Sequence, residues 1–460
     1  FGDNGWAFNK NDTPLVCFTI TPRADQYVRE LLKKGPVKVR ANVDTRYYDG
    51  HYPWVTGVIR GTDGAGAEEV LSLGHLYEEG ANDNASGVAS LLEGITTLNR
   101  LINEGKLPRP KRTIRLLAMG ERYGTLAYLD ANKDRTKRTI AAMCIDTPAG
   151  WQYLAGTQFN WSMNPQSVSS FVDAFIVRLA AEYYPMVRRP WSWSEYNRAE
   201  FGGGTDDDLG EPMIGIPTVS PHSGHGIPAH HTSFDTPAQV DPKSLRDLAV
   251  MDAAYTYFLA SAGPEQMHWM AELAVQRGYD QINTTTANSL DLVAAAKDAD
   301  SLGHLLYWQT AHVDYDLTRE TKAVKQAADL EQELAALASF AAAQKARIEG
   351  AVQQRATELH LGTIQPIPPK IDPEAEKIVV RRKRMGMLPL DEIPRSQREG
   401  FPSSGFWSPT SAALFWCDGK RNLAEVIQDT EMELGPQKPF DWVGYFKFLQ
   451  RHGYVDFVQQ

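Results

Sequence analysis

Between residues 69 and 262 the apolar periodicity alternates between strand and helix, and this alternation constrains the fold more than any other feature of the chain. Short apolar runs at 69–74, 113–119, 139–145 and 214–219 read as strands. Residues 86–103, 122–131, 166–183 and 241–262 repeat at helical spacing, with Val172, Phe175, Ile176 and Leu179 on one face. Strands alternating with helices of this length predict an α/β fold, a three-layer αβα core around a mostly parallel sheet.

Open α/β sheets bind ligands outside the carboxyl ends of their strands, and chemically capable residues gather at those ends. His75 follows the first strand, Glu121 the second and Asp146 the third. His231 lies in the loop S-P-H-S-G-H-G-I-P-A-H-H-T-S-F-D-T after the fourth, among His222, His225 and His230. Asp83 stands within Ala81-Asn82-Asp83-Asn84, where the first of these helices begins. Each residue alone has an ordinary explanation. Asn-Asp-Asn-Ala-Ser is a common helix start, and a single histidine after a strand is more often structural than a ligand. Imidazoles and carboxylates converging on one edge instead suit a divalent metal of the zinc type, bound through nitrogen and oxygen.

The remaining chain divides by composition. Its 460 residues are too many for one simple core. Residues 1–54 read as a flanking segment, with strands at 14–20 and 37–43 and a helix at 24–34; a strand at 55–60 leads into the core at 55–263. Residues 264–361 read as a helical hairpin region, with one amphipathic segment at 267–282 and a long helix at 321–359. That helix is too polar to stand alone and calls for a partner, either residues 289–308 or a second subunit, so a homo-oligomer through this region stays open. Residues 362–404 form a Pro-rich linker, and 405–460 a winged-helix-like unit with helices at 409–417, 422–434 and 440–451 and a strand at 454–457. Its last helix offers only Lys447 and Arg451, which argues for packing rather than DNA contact. The basic run at 380–384 reads as a solvated loop. A net charge of −10 argues against a nucleic-acid partner. No apolar run is long enough for a membrane span, and three scattered cysteines favour a reducing, cytoplasmic setting, although a leader is not excluded.

On these residues, the section from about 55 to 262 resembles the zinc-dependent aminopeptidase superfamily, peptidase clan MH, which includes leucyl aminopeptidases, glutamate carboxypeptidase II and glutaminyl cyclases. The most specific match is Gly80-Ala-Asn-Asp-Asn-Ala-Ser-Gly-Val-Ala89. The resemblance implies metal ligands at His75, Asp83, Asp146 and His231, with Asp83 bridging two metals, and a general base at Glu121. The stretch Thr205-Asp206-Asp207 followed by Gly215-Ile-Pro217 is similar to one near the substrate in that family. The whole chain looks closest to a bacterial subgroup with a protease-associated-like segment before the core and a C-terminal winged helix.

Two positions depart from the pattern. Tyr77 stands where the family has an Asp that orients the first histidine, and Arg122 stands where it has a metal-binding Glu. The first metal position keeps His75, Asp83 and Asp146, while the second keeps only Asp83 and His231, with Glu78 or Glu79 as conceivable substitutes. The expectation is one firmly bound Zn²⁺ and a second that is weak or absent. The implied activity is that of a metal-dependent exopeptidase or amidohydrolase on small peptides or aminoacyl substrates. Glu121 would act as base on a metal-bound water, and Arg122 with Asp206 and Asp207 would face the substrate. Glu195, Glu200, Asp208 and Glu211 add negative charge for an α-ammonium, and Trp191, Trp193, Tyr196 and Phe201 would form an apolar pocket or pack a lid. A glutaminyl-cyclase-like acyl transferase with one metal and a non-catalytic scaffold are the competing readings.

Overall fold

The computed structural model describes residue 18 and residues 20–458 apart from 45, 47, 52, 65, 152–158, 188–195, 200 and 224–228; for 196–199 it describes the backbone only. The core sheet has seven strands: β1 (Val55–Ile59), β2 (Glu69–Leu76), β3 (Thr113–Gly120), β4 (Thr139–Cys144), β5 (Phe159–Ser162), β6 (Tyr196–Ala199) and β7 (Thr218–His222). Their order is β1-β3-β2-β4-β7-β5-β6. The central pairs β3/β2, β2/β4 and β4/β7 are parallel, while β1 and β5 run antiparallel to β3 and β7. Helices between parallel strands explain this arrangement, because a parallel crossover needs a connection long enough to return along the sheet.

Strand side chains alternate between two faces, and both faces are covered. Val70, Ile114, Leu116, Ala141 and Met143 share one core with Leu91 of α2 (Ala85–Asn103), Phe175 of α5 (Phe171–Val187) and Leu248 and Tyr255 of α6 (Pro242–Ser261). Leu71, Leu73, Leu117, Met119, Ala142 and Cys144 face the other way onto Tyr128 and Leu129 of α3 (Tyr123–Ala131). The two short helices α1 (Pro22–Leu32) and α4 (Lys133–Thr136) bury no residue.

Several elements differ from the sequence reading. The strand expected at 214–219 begins only at Thr218, because Gly215 has φ +71° and Pro217 precedes the pairing. Strands β5 and β6 were not foreseen; each has only four residues, too few to show a period. Residues 37–43 form no strand, with 38–43 exposed, and most of the strand expected at 14–20 lies outside the described residues.

The region after the core holds three long helices, α7 (Pro264–Ala295), α8 (Ala299–Ala327) and α9 (Glu331–Glu358). The single helix expected at 321–359 is broken at 328–330, where Ala328 turns extended and Leu330 drops into the core beside Val275 and Val324. Helix α9 finds its partners inside the chain, with Leu337, Ala341 and Ile348 packed against Ile282 and Val313.

The C-terminal unit contains α10 (Pro409–Trp416), α11 (Leu423–Leu434), α12 (Trp442–Arg451) and a three-stranded antiparallel sheet. The stretch expected as a linker supplies that sheet's central strand, β8 (Val379–Arg382), between β9 (Asp418–Asn422) and β10 (Val455–Phe457). The basic run is therefore no solvated loop: Arg382 is buried, its guanidinium paired with Glu211 and stacked over Phe415. Phe201 also packs here, against Trp407 and Phe415. Among the described residues no helix is long and apolar enough to cross a membrane.

Candidate metal centre

Strands β2, β3 and β4 end side by side, with Leu73 paired to Cys144 and His75 to Met119. This register brings His75, Glu121 and Asp146 to one point, where one ligand atom from each lies within 4.8 Å of the others. The loop from Tyr77 to Asn84 then folds back over the same edge. Asn84 fixes it: its side chain caps α2 at the Gly87 N–H and donates to the Ile145 carbonyl. Asp235, four residues beyond His231, holds the other side by accepting from the Asn82 and Asp83 N–H groups at 2.8 and 2.9 Å. The approach requires glycine at position 80, since a Cβ there would overlap the Asp235 carboxylate and the Asp83 carbonyl.

The four residues expected as ligands are brought together. His75 Nε2 lies 3.3 Å from Asp83 Oδ1 and 4.0 Å from Asp146 Oδ1, and His231 Nε2 lies 2.9 Å from Asp83 Oδ2. Two further side chains join them. Glu78 Oε2 is 2.8 Å from His75 Nε2, and His230 Nδ1 is 3.4 Å from Asp83 Oδ2. The sequence analysis named His230 only as a neighbour of His231, yet it forms a donor set with Asp83 and His231. His222 is elsewhere, beside the Ser162 hydroxyl at 3.1 Å, and His225 lies outside the described residues.

The electrostatics describe a crowded anionic site. Burial disfavours the charged form of His75, but Asp146, Asp206, Asp83 and Glu78 outweigh it and hold the imidazole well above its usual pKa. Burial, then Glu78 and Asp146, push Asp83 up to about 9 against the pull of His75. Glu78 is opposed by burial, but hydrogen bonds with His75 and Asp83 bring it down to about 2. Burial is the main reason that Glu121 rises to about 8, with Asp146, Asp206 and Glu78 adding to it against His75. Protons are being retained where several carboxylates compete for too little positive charge.

A divalent cation fits this set. Asp146 Oδ1 is buried and accepts no hydrogen bond among the described residues, although it faces His75 Nε2. Buried polar atoms are nearly always paired, and a cation between imidazole and carboxylate would satisfy both. His75, Asp83, Asp146 and His231 offer the nitrogen and oxygen donors that zinc takes.

The residues expected against the substrate have other surroundings. Asp206 is fully buried; Oδ1 accepts from the Arg122 N–H at 2.7 Å and the Thr125 hydroxyl, and Oδ2 faces His75 Nδ1 at 3.5 Å. Asp207 is buried too, accepting from the Gly203 and Thr205 N–H groups, and burial pushes it up to about 8. The Arg122 guanidinium pairs with Asp208 at 3.1 Å and lies over the Phe406 ring. Glu211 is consumed by Arg382. All four of these acidic residues, Asp206, Asp207, Asp208 and Glu211, are buried in the turn. Tyr77 turns outward with φ +74°, its hydroxyl on the Pro53 carbonyl. Trp191, Trp193, Glu195 and Glu200 lie outside the described residues, as does the side chain of Tyr196.

The fold and donor set define an α/β domain with a metal-type centre at the carboxyl edge of a parallel sheet. Residues 55–256 match the model of peptidase family M28. Solved structures similar to the chain include an aminopeptidase from Aneurinibacillus sp. strain AM-1, at 20% identity over 46% of this chain and 48% of that one, with a TM-score of 0.34. A zinc aminopeptidase from Bacillus subtilis aligns at 18% identity over 44% and 49%, with a TM-score of 0.35. A Bacteroides thetaiotaomicron glutaminyl cyclase bound to N-acetylhistamine aligns at 18% over 51% and 88%, with a TM-score of 0.32. The chain spans about half the length of the two aminopeptidases. Among curated proteins, none matches the sequence.

Proposed function

We propose that this chain is a metal-dependent hydrolase of small peptides or aminoacyl amides, an exopeptidase of the aminopeptidase type. The observation that supports it best is the grouping of Glu121 with His75 and Asp146 at the strand ends, beside an Asp83 carboxylate shared by two histidines. A base must lie within reach of the proton it takes and have a pKa near working pH.

Zinc held by His75, Asp83, Asp146 and His231 would supply Lewis acidity toward the scissile carbonyl and acidify a nearby water. Glu121 takes a proton from the attacking water and returns it to the leaving amine. Asp206 Oδ2, 3.5 Å from His75 Nδ1, would favour the tautomer with its proton on Nδ1, which leaves the Nε2 lone pair to the centre. The Arg122 charge is engaged by Asp208 and so leaves the donor set intact.

The test compares wild type with Glu121→Gln for zinc content and for turnover of a panel of aminoacyl amides. The variant should keep its zinc and lose turnover by about 10²–10⁴-fold. Normal turnover in the variant removes Glu121 as base. Conversion of an N-terminal glutaminyl peptide to its cyclic product would support acyl transfer instead, and a wild type that neither binds zinc nor hydrolyses any amide would support a scaffold.

A further inference from the structure

The pattern of the second metal position is broken at Arg122, and a carboxylate in the turn after a different strand stands near the gap. Strand β2 ends at Leu76, and the left-handed backbone of Tyr77 turns the chain so that Glu78 points back under His75. Its carboxylate then faces two histidines at once: Oε2 is 2.8 Å from His75 Nε2, and Oε1 is 3.9 Å from His231 Nε2. Asp83 is arranged in the same sense, with Oδ1 3.3 Å from His75 Nε2 and Oδ2 2.9 Å from His231 Nε2. Two carboxylates thus run side by side between the same pair of imidazoles. Glu79, the other acidic residue of this turn, is exposed, whereas only 22% of the Glu78 side chain is accessible.

We propose that Glu78 replaces the ligand lost at Arg122, so that the centre would hold two cations among Asp83, Glu78 and the residues around them. His75 and Asp146 would complete one position, and His231 with the adjacent His230 the other. The proposal rests on the metal-dependent reading above. Its physical basis is charge balance: an ion in the second position that met only Asp83 and histidines would lack an anionic ligand of its own. Glu78 supplies one without requiring Arg122 to move from Asp208. The same geometry would also suit a plain ion pair between Glu78 and a protonated His75, which the experiment separates from ligation.

The full chain is stripped with a chelator and titrated with Zn²⁺ by calorimetry, and bound zinc is counted by elemental analysis after desalting. Wild type should take two zinc ions per chain. Glu78→Gln, with unchanged circular dichroism, should weaken the second ion at least tenfold, Glu78→Asp should fall between, and Glu79→Gln should match wild type. Two ions in Glu78→Gln at wild-type affinity, or one ion in wild type and variant alike, would overturn the role of Glu78 while leaving a zinc hydrolase standing. A wild type without zinc would overturn both.

Discussion

Asp206 Oδ2 and His75 Nδ1 face each other at 3.5 Å across the floor of the centre, with Asp206 fully buried. The carboxylate arrives from a buried turn between β6 and β7, more than a hundred residues away in sequence, and stands where Tyr77 leaves none. Partners of this kind fix the tautomer of a ligating imidazole, and losing them typically costs 10–100-fold in metal affinity. Asp206→Asn keeps an oxygen for the Arg122 N–H but loses the charge behind His75. Zinc affinity should drop about 10–100-fold while the circular dichroism spectrum is retained. An unchanged zinc titration would count against an orienting role.

Chelation should destabilise the protein. Without a cation, Glu78, Asp83 and Asp146 compete for the charge of one buried His75. A ligand that binds only the folded state at about 100 times its Kd adds roughly 2.7 kcal/mol. Thermal unfolding with and without chelator should show a lower midpoint in the stripped protein, restored by zinc in excess. Identical midpoints would mean that no ion is bound tightly enough to matter.

The link between the core and the C-terminal unit passes through Arg382 and Glu211, both buried. Removing one partner of such a pair strands a charge and costs about 3–5 kcal/mol. Arg382→Met should therefore lower the urea midpoint strongly. Arg382→Met with Glu211→Gln should recover much of the loss, because the stranded carboxylate is gone. Equal stability of the two variants would show that packing over Phe415, rather than charge, dominates.

Away from the centre, Asp252 on α6 is buried under the sheet and accepts from the Ser72 hydroxyl at 2.6 Å. Burial pushes its pKa up to about 7, although the hydroxyl opposes this. The folded state therefore holds a proton that the unfolded chain releases near pH 4. Stability contributed by that proton is full below about pH 4 and is lost as pH rises through about 7. Asp252→Asn should flatten this dependence and be more stable than wild type at pH 8, by roughly 2–4 kcal/mol. Denaturation midpoints at pH 5 and pH 8 check it; equal pH slopes in the two proteins would contradict it.

The alternating core and five residues of the centre, His75, Asp83, Glu121, Asp146 and His231, were legible in the sequence for a local reason. Periods of two and of 3.6 residues mark strands and helices along any stretch of chain, and His75, Glu121 and Asp146 stand directly after strands whose parallel pairing dictates a common edge. Helices α10, α11 and α12 were visible in the same way, through their caps and apolar faces. What a side chain turns toward has no such signature. Glu78 and Glu79 are neighbours of the same type, and only the turn at Tyr77 sends one under His75 and the other into solvent. His230 and His231 likewise both reach Asp83 only because the loop closes on Asp235. Asp206, Asp207 and Glu211 look like surface acids until the turn that contains them is buried. Local periodicity determined the scaffold and where its edge lies, whereas chain reversal and burial over long sequence distances decided which charges meet there, because those contacts are set by packing that no short window of sequence records.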